Sequence, residues 1–380
     1  MKPLPPEALS STPAADGFRM PGEFEPHHGC WMLWPKRPDN WRENARPAQA
    51  AFAAVAAAIH ASDPVTMAVA PECYDEARAL LAPGIRVVEI ESDDAWMRDT
   101  GPTFVVDDSG HSRAVDWRFN AWGGSLDGLY WPWDRDDAVA GEVARVEGVE
   151  RYRAPFVLEG GAIHVDGEGT LITTEECLLS DGRNPDLTRT RIEELLRAYL
   201  GVSTIVWVPR GVFRDETSGH VDNLLHVCAP GVIALSWTDD REDPQYERSA
   251  EALACLQAAR DARGRAFEIV KMPMPGPLFM SADEAAGIEA ADTGMSRQAG
   301  ERLAASYCNF YIGNTRIVFP LLDPAHDGTA RSLLTDLFPG REIVSVPGRE
   351  ILLGGGNIHC ITQQVPVSGN GTGGANGNAR

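Results

Sequence analysis

The pattern Gly-Gly-x-Ile-His occurs twice, as Gly160-Gly161-Ala162-Ile163-His164 and as Gly355-Gly356-Asn357-Ile358-His359. A repeated unit of this kind restricts the chain to folds in which like modules are set side by side. Three polar clusters stand at the ends of apolar runs in step with it: Trp96-Met97-Arg98-Asp99-Thr100-Gly101-Pro102, Glu159-Gly160-Gly161, and Asp215-Glu216-Thr217-Ser218-Gly219-His220-Val221-Asp222-Asn223. Asp99 and Glu159 are 60 residues apart, Glu159 and His220 are 61 apart, and His220 and Cys360 are 140 apart, about twice that period, with Ser306-Tyr307-Cys308-Asn309 near the skipped position. The spacing predicts about five strand-and-helix modules arranged in a ring, the start of each at one central mouth. At 380 residues the chain exceeds a typical domain, yet closed α/β folds reach this size as one unit.

Local pattern agrees with such modules. Residues 1–16, rich in Pro, Ser and Ala, are read as lacking order of their own, residues 17–366 as one domain, and the Gly/Asn-rich 367–380 as a disordered tail. Gly29 to Pro35 reads as a buried strand, and Asn44 to Ser62 as a helix with Phe52, Val55 and Ile59 on one face. Pro64 to Ala70 and Ile85 to Ile90 are strand-like around a helical Tyr74 to Leu81, and Thr103 to Val106 forms a hairpin with Ala114 to Trp117. Thr190-Arg191-Ile192-Glu193 reads as a capping box for a helix that Gly201 ends. Helices are also expected at Tyr246 to Arg263 and Thr329 to Phe338, and strands at 204–208, 223–228, 232–236, 307–312 and 317–319.

Composition narrows the partners. Lys and Arg number 34 against 55 Asp and Glu, a net charge of −21 that repels nucleic acid and anionic membrane and favours small cations. Seven scattered cysteines without a C-x-x-C pair indicate neither a disulfide framework nor a structural zinc site. The N-terminus lacks the apolar core of a signal peptide, so the expected compartment is the cytoplasm, with a homo-oligomer left open.

The stretch Ile351 to Gln364 delivers one cysteine after three glycines, which suits a side chain brought to the rim of a site, although a buried thiol after a Gly-rich turn has the same local pattern. Collected at the expected mouth are Cys360, His220, Asp99, Glu159 and Asp222. This set can bind and attack a guanidinium. The cation is planar and its paired N–H donors match carboxylates, with Asp99 and Asp222 as the fork. A thiol of ordinary pKa roughly 8.5 needs local positive charge to ionise, and the substrate itself supplies it. His220 would carry protons, Glu159 would orient His220 and face the cation, and Trp96 could cover a cation face. Each residue also has an ordinary structural reading: His220 as a strand-end cap, Asp99 paired with Arg98, Asp222-Asn223 as turn formers. His164, His359 and the remaining tryptophans, Trp122 among them, are assigned to structure.

Trp96 to Pro102, Phe119-Asn120-Ala121-Trp122-Gly123-Gly124, Glu159-Gly160-Gly161, Gly219 to Asn223, Ser306 to Tyr311 and Gly354 to Gln364 resemble the motifs of the agmatine deiminase family, over about Pro21 to Gln364. The resemblance implies the pentein fold, a five-bladed pseudo-symmetric α/β propeller. It also implies conversion of agmatine to N-carbamoylputrescine and ammonia, a step of putrescine formation, with no metal or organic cofactor. By it Cys360 carries an amidino intermediate, His220 and Asp222 match the family's H-x-D pair, and Asp99 and Glu159 match its other acids. The stretch Met272 to Arg297 matches least well. Alternatives are a related arginine or peptidyl-arginine deiminase, an amidinotransferase, a zinc hydrolase, for which the ligand spacing is wrong, and a non-catalytic ribosome-binding factor of the same fold, which has no need of the Cys-His-acid set.

Overall fold

The computed structural model describes residues 5–367. They form five small sheets with one connectivity. The first holds β1 (His27–Leu33), β2 (Val65–Val69) and β3 (Arg86–Glu89), all parallel, with the helix Arg46–His60 crossing from β1 to β2. The next four each open with an antiparallel hairpin, cross over and add a parallel third strand: β4 (Thr103–Val106), β5 (Ser112–Arg118) and β6 (Arg151–Val157); β7 (Ile163–Val165), β8 (Thr170–Thr174) and β9 (Thr204–Val208); β10 (Leu225–Ala229), β11 (Val232–Trp237) and β12 (Glu268–Pro273); β13 (Tyr311–Ile312), β14 (Arg316–Leu321) and β15 (Glu342–Pro347). The crossover helices are Asp136–Glu147, Arg189–Leu200, Gln245–Ala258 and Asp327–Leu337. The last strand, β16 (Gln363–Pro366), returns to pair antiparallel with β1. That pairing gives the first sheet the hairpin the others have and closes a five-bladed α/β propeller.

Why these segments take these forms follows from burial. Strands such as β8, which is Thr-Leu-Ile-Thr-Thr and buried at every position, are covered on both faces, so they lack the polar alternation of half-exposed strands. Each crossover helix turns one apolar stripe inward: Phe52, Val55 and Ile59 are wholly buried under the first sheet, and Ile192, Leu195, Leu196 and Tyr199 under the third.

Several boundaries differ from expectation. The helix at Arg189 is capped by Thr188, whose side chain accepts from the Arg191 N–H, while the side chain of Glu193 is taken up by the Trp207 indole and by Arg197. The helix expected to reach Arg263 ends at Ala258, because the Asp261 carboxylate accepts the N–H groups of Arg263 and Arg265 and turns the chain there. The strand expected over 307–312 is only Tyr311–Ile312, and Val221–Leu224 is a short helix ahead of β10. Residues 5–16, expected to lack order, lie against the second blade: the Leu9 N–H donates to Arg151 O at 2.8 Å, Arg151 Nε donates to Pro6 O, and Asp16 accepts from Tyr152 and Arg113. Val367 N–H still bonds Pro26 O, and the rest of the expected tail, 368–380, lies outside the described residues.

Closure by β16 makes a direct prediction. A chain ending at Thr362 leaves β1 with an unpaired edge and removes the buried Gln363, Gln364 and Val365. Its thermal transition should fall by many degrees or lose cooperativity, and an unchanged transition would show that the ring does not depend on this pairing.

Candidate active site

The segments just ahead of the strands that open the blades meet at the ring's centre, and each brings polar side chains. Asp99 lies on the short helix Met97–Thr100 before β4, and Glu159 precedes the turn Gly160–Ala162 before β7. His220 caps and Asp222 lies on the helix Val221–Leu224 before β10, Asn309 precedes β13, and Cys360 precedes β16. All five residues expected at the mouth therefore come together, and all are buried. The skipped position of the repeat is filled by Asn309, whose Nδ2 lies 3.1 Å from Cys360 Sγ.

Distances define the cluster. Asp222 Oδ2 is 3.5 Å from Cys360 Sγ. His220 sits between two acids, its Nδ1 3.9 Å from Asp99 Oδ2 and its Nε2 3.6 Å from Glu159 Oε2. Gly161 N–H donates to Asp99 Oδ1 at 2.9 Å, and the Trp122 indole donates to Asp99 Oδ2 at 2.9 Å. Glycine at 161 is required by contact: a Cβ there would stand 2.6 Å from His220 Nδ1 and 3.0 Å from both Asp222 Oδ2 and Asp99 Oδ1. The second Gly-Gly pair has the same cause, since a Cβ on Gly356 would meet the Trp96 ring at 2.5 Å and the Cys360 sulfur at 3.0 Å.

Electrostatics divide the groups into roles. Burial pushes the Asp99 carboxyl up to about 6, with Asp222 and Glu159 adding to the rise and His220 opposing it. Burial would also raise Glu159, but Arg183 at 3.0 Å and His220 outweigh it and hold the carboxyl below its ordinary value. Burial works against charge on His220, yet Asp99, Cys177 and Glu159 together hold its pKa well above the ordinary value, which favours the imidazolium. The Cys360 thiol is pushed well above its ordinary value by burial and by the charges of Asp222 and Asp99. In the free protein the sulfur is protonated.

Beside this cluster lies a pocket lined among others by Trp96, Asp99, Trp122, Asn223 and Cys360. Trp96 forms a wall of it, its indole held by Asp94 at 3.0 Å and its ring set against Trp41 and Trp122. Four lining carboxylates, Asp39, Asp94, Asp99 and Glu216, face two lining guanidiniums, Arg37 and Arg297. Both guanidiniums are engaged, Arg37 with Asp39 and Arg297 with Glu216 and Gly354 O. Arg98 is not the partner of Asp99; it reaches Glu23 at 3.3 Å and His359 O at 3.3 Å. Two groups of side chains have metal-ligand proximity among the described residues, Glu23-His164-His226-His359 and Glu159-Cys177-His220. In each, an arginine already supplies the positive charge, Arg98 at Glu23 and Arg183 at Glu159.

Sequence reasoning missed Trp122, Arg183 and Asn309. Trp122 follows Ala121 with both residues at positive φ, 64° and 53°, a costly backbone that turns the indole onto Asp99. Its signal is the motif Phe119 to Gly124, whose tryptophan reads as core in the sequence. Arg183, buried behind Glu159, also binds Trp122 O and Thr217 O and so ties three site segments together; nothing in its local sequence marks it.

The chain matches the model of the Porphyromonas-type peptidyl-arginine deiminase family over residues 19–366, and it belongs to that family. Within it, the chain is 58% identical over 360 residues to the agmatine deiminase of Pseudomonas aeruginosa (strain UCBPP-PA14), covering 94% of this chain and 98% of that one, and 58% identical over 361 residues to the agmatine deiminase of Stutzerimonas stutzeri (strain A1501), with the same coverage. The solved structure of the agmatine deiminase of Enterococcus faecalis superposes with a TM-score of 0.93 at 44% identity, covering 95% of this chain and 99% of that one.

The packing at Gly161 yields a test of this geometry. Gly161→Ala places a methyl group among His220, Asp222 and Asp99, and a misplacement of about 1 Å in such a cluster costs about 100-fold in rate. Deiminase turnover should fall by at least that factor while circular dichroism stays that of the wild type. Full activity in the variant would show that the three side chains are not held where the structure has them.

Proposed function

We infer that this chain is an agmatine deiminase, hydrolysing agmatine to N-carbamoylputrescine and ammonia through an amidino-thioether on Cys360. The observation that carries the reading is a buried carboxylate oxygen, Asp222 Oδ1, that meets no hydrogen-bond donor among the described residues, beside a thiol 3.5 Å from Asp222 and near Glu159 Oε2, which faces His220 Nε2 at a long 3.6 Å. Unpaired buried acceptors of this kind call for a donor-rich cation. A guanidinium satisfies them, its N–H groups donating to Asp222, Asp99 and Glu159, with Trp96 against its flank.

The chemistry then follows the charges. The bound cation offsets Asp222 and Asp99, which removes the repulsion that keeps Cys360 protonated, so the thiol releases its proton to solvent and the thiolate sulfur attacks the flattened guanidinium carbon. In the tetrahedral adduct His220 gives its proton to one amino nitrogen, the C–N bond breaks and ammonia leaves, so that an amidinium remains bonded through carbon to Cys360 Sγ. Neutral His220 next takes a proton from water, whose oxygen adds to the same carbon. Loss of the thiolate, which takes back the hydroxyl proton of the collapsing adduct, yields the ureido product and restores the thiol. Agmatine carries a second positive charge where arginine adds a carboxylate, and four lining carboxylates against two guanidiniums, both already paired, favour the dication.

A second reading has one observation of its own: Arg37 and Arg297 stand at the pocket wall, and either could take a carboxylate if it left Asp39 or Glu216. Parallel assays separate the two. Like-charge contact costs several kcal/mol, and each 1.4 kcal/mol is about tenfold, so kcat/KM for agmatine should exceed that for arginine by at least about 100-fold. Equal efficiency on free or peptidyl arginine contradicts the assignment.

Two further outcomes are expected. Cys360→Ser should abolish turnover with an unchanged melting temperature, and acid quench of the wild type during turnover should leave an amidino adduct on the peptide containing Cys360; an active serine variant would rule out covalent catalysis there. Because guanidinium binding needs Asp99 ionised and its pKa lies at about 6 in the free protein, kcat/KM should fall on the acid side of that value. A profile flat down to about pH 4, the ordinary carboxylate range, would remove Asp99 from the binding step.

A further inference from the structure

Beneath the site, away from the pocket, the centre of the ring holds a second buried cluster of Glu23, Arg98, His164, His226 and His359. Glu23 comes from the segment ahead of β1 and is 4% exposed; His359 is the neighbour of Cys360 and has no exposed surface. His359 Nε2 lies 2.9 Å from both oxygens of Glu23, and His359 Nδ1 lies 2.8 Å from Asp222 Oδ2. Asp222 Oδ2 is also the atom 3.5 Å from Cys360 Sγ. A continuous line of contacts therefore runs from Glu23 through the imidazole to the reacting sulfur.

We propose that Glu23 is a positioning residue for the deimination step, holding His359 so that it aims the Asp222 carboxylate at the guanidinium and the Cys360 sulfur. The inference rests on the function inferred above. A carboxylate has no proton to donate, so an imidazole at hydrogen-bond distance from two of them must donate from both nitrogens, which makes His359 an imidazolium. The groups facing it are Glu23, Asp222, the Arg98 guanidinium, whose Nε donates to His359 O, and the rings of His164 and His226 at 5.2 and 5.1 Å. Two acids are balanced by Arg98 and His359 within one buried group, the condition under which charges survive removal from water. His164 and His226 stay neutral, because burial lowers His164 to about 4 and His226 well below its ordinary value.

The consequence for Asp222 is directional. One of its oxygens is taken by a charge-assisted bond from His359, which leaves Oδ1 without a donor from the described residues and free for the substrate. Neutralising Glu23 removes the acid that keeps His359 charged, and Asp222 then loses both its orientation and the stronger form of its hydrogen bond. A divalent ion among Glu23, His164, His226 and His359 is the competing arrangement, since these ligand atoms lie within 4.8 Å of one another. It would need the Nε2 lone pair of His359 and would stand against Arg98.

The test uses full-length protein labelled with 15N in histidine, together with the Glu23→Gln variant. At neutral pH the wild-type His359 ring should show two protonated nitrogens, and the variant should show a neutral ring. The variant should melt below the wild type, because Arg98 loses its buried acid, yet be folded at the assay temperature and lose about 10- to 100-fold in kcat for agmatine, the usual cost of removing a group that orients a reacting one, with KM little changed because Asp99 and Glu159 still hold the cation. A neutral His359 in the wild type, a stoichiometric divalent metal by elemental analysis, or a variant with wild-type kcat each overturns the proposal. If Glu23→Gln does not fold, the wild-type spectrum and metal content decide. Wild-type protein inert toward agmatine would instead contradict the function inferred above, and the ring spectrum would still judge the role of Glu23.

Discussion

Concentrated buried negative charge is the constraint on which the centre of this molecule depends. Glu23, Asp99, Glu159 and Asp222 all lie within the ring at 4% exposure or less, and a buried carboxylate without a partner shifts its pKa and neutralises rather than remain charged. Each acid is answered differently. Glu23 and Glu159 have arginines, Arg98 and Arg183; Asp222 has His359; Asp99 has, among the described residues, only the indole of Trp122, the amide of Gly161 and a more distant His220. Asp99 is accordingly the one of the four whose carboxyl is pushed up, to about 6. The charge left least satisfied is the charge at the pocket.

The fold supplies this arrangement through repetition. Five blades start alike, so five short segments converge, and a two- or three-residue shift in any of them would bring a different side chain to the centre. Of the arginines that hold the acids, Arg98 lies beside Asp99 on one of these segments, whereas Arg183 lies between β8 and β9 and joins Glu159 to the backbone of Trp122 and Thr217. The wall of the pocket is built the same way, since Arg297 joins Glu216, Asn40 and Gly354 from three parts of the chain.

What could be read from the sequence followed its periodicity. Asp99, Glu159, His220, Asp222 and Cys360 stand in step with a repeat of about sixty residues, and apolar faces such as Phe52, Val55 and Ile59 announced their helix. Asn309, in the stretch near the skipped position of the repeat, lies 89 residues after His220 (309 − 220) and 51 before Cys360 (360 − 309) and carries no titratable group, so its contact with the sulfur is visible only once the ring is closed. Arg183 acts through tertiary contacts to distant segments that no local pattern encodes, and the motif Phe119 to Gly124 marks Trp122 without showing that its indole meets Asp99. His164 and His359, beside the glycine pairs, read as structural in the sequence; the acid that makes His359 more than structural, Glu23, is 336 residues away. Arg297 lies at the end of the stretch that matched the family least, and it proves to line the pocket.

The central claim is that the substrate's own charge ionises the nucleophile. Ultraviolet difference spectroscopy reads it directly, because a thiolate absorbs near 240 nm where a thiol does not, with a Cys360→Ala variant as the blank. The account predicts no thiolate at Cys360 in free protein at neutral pH and its appearance when a non-reacting guanidinium or amidinium analogue of agmatine binds. A thiolate already present in the free protein, unchanged by the analogue, would contradict it.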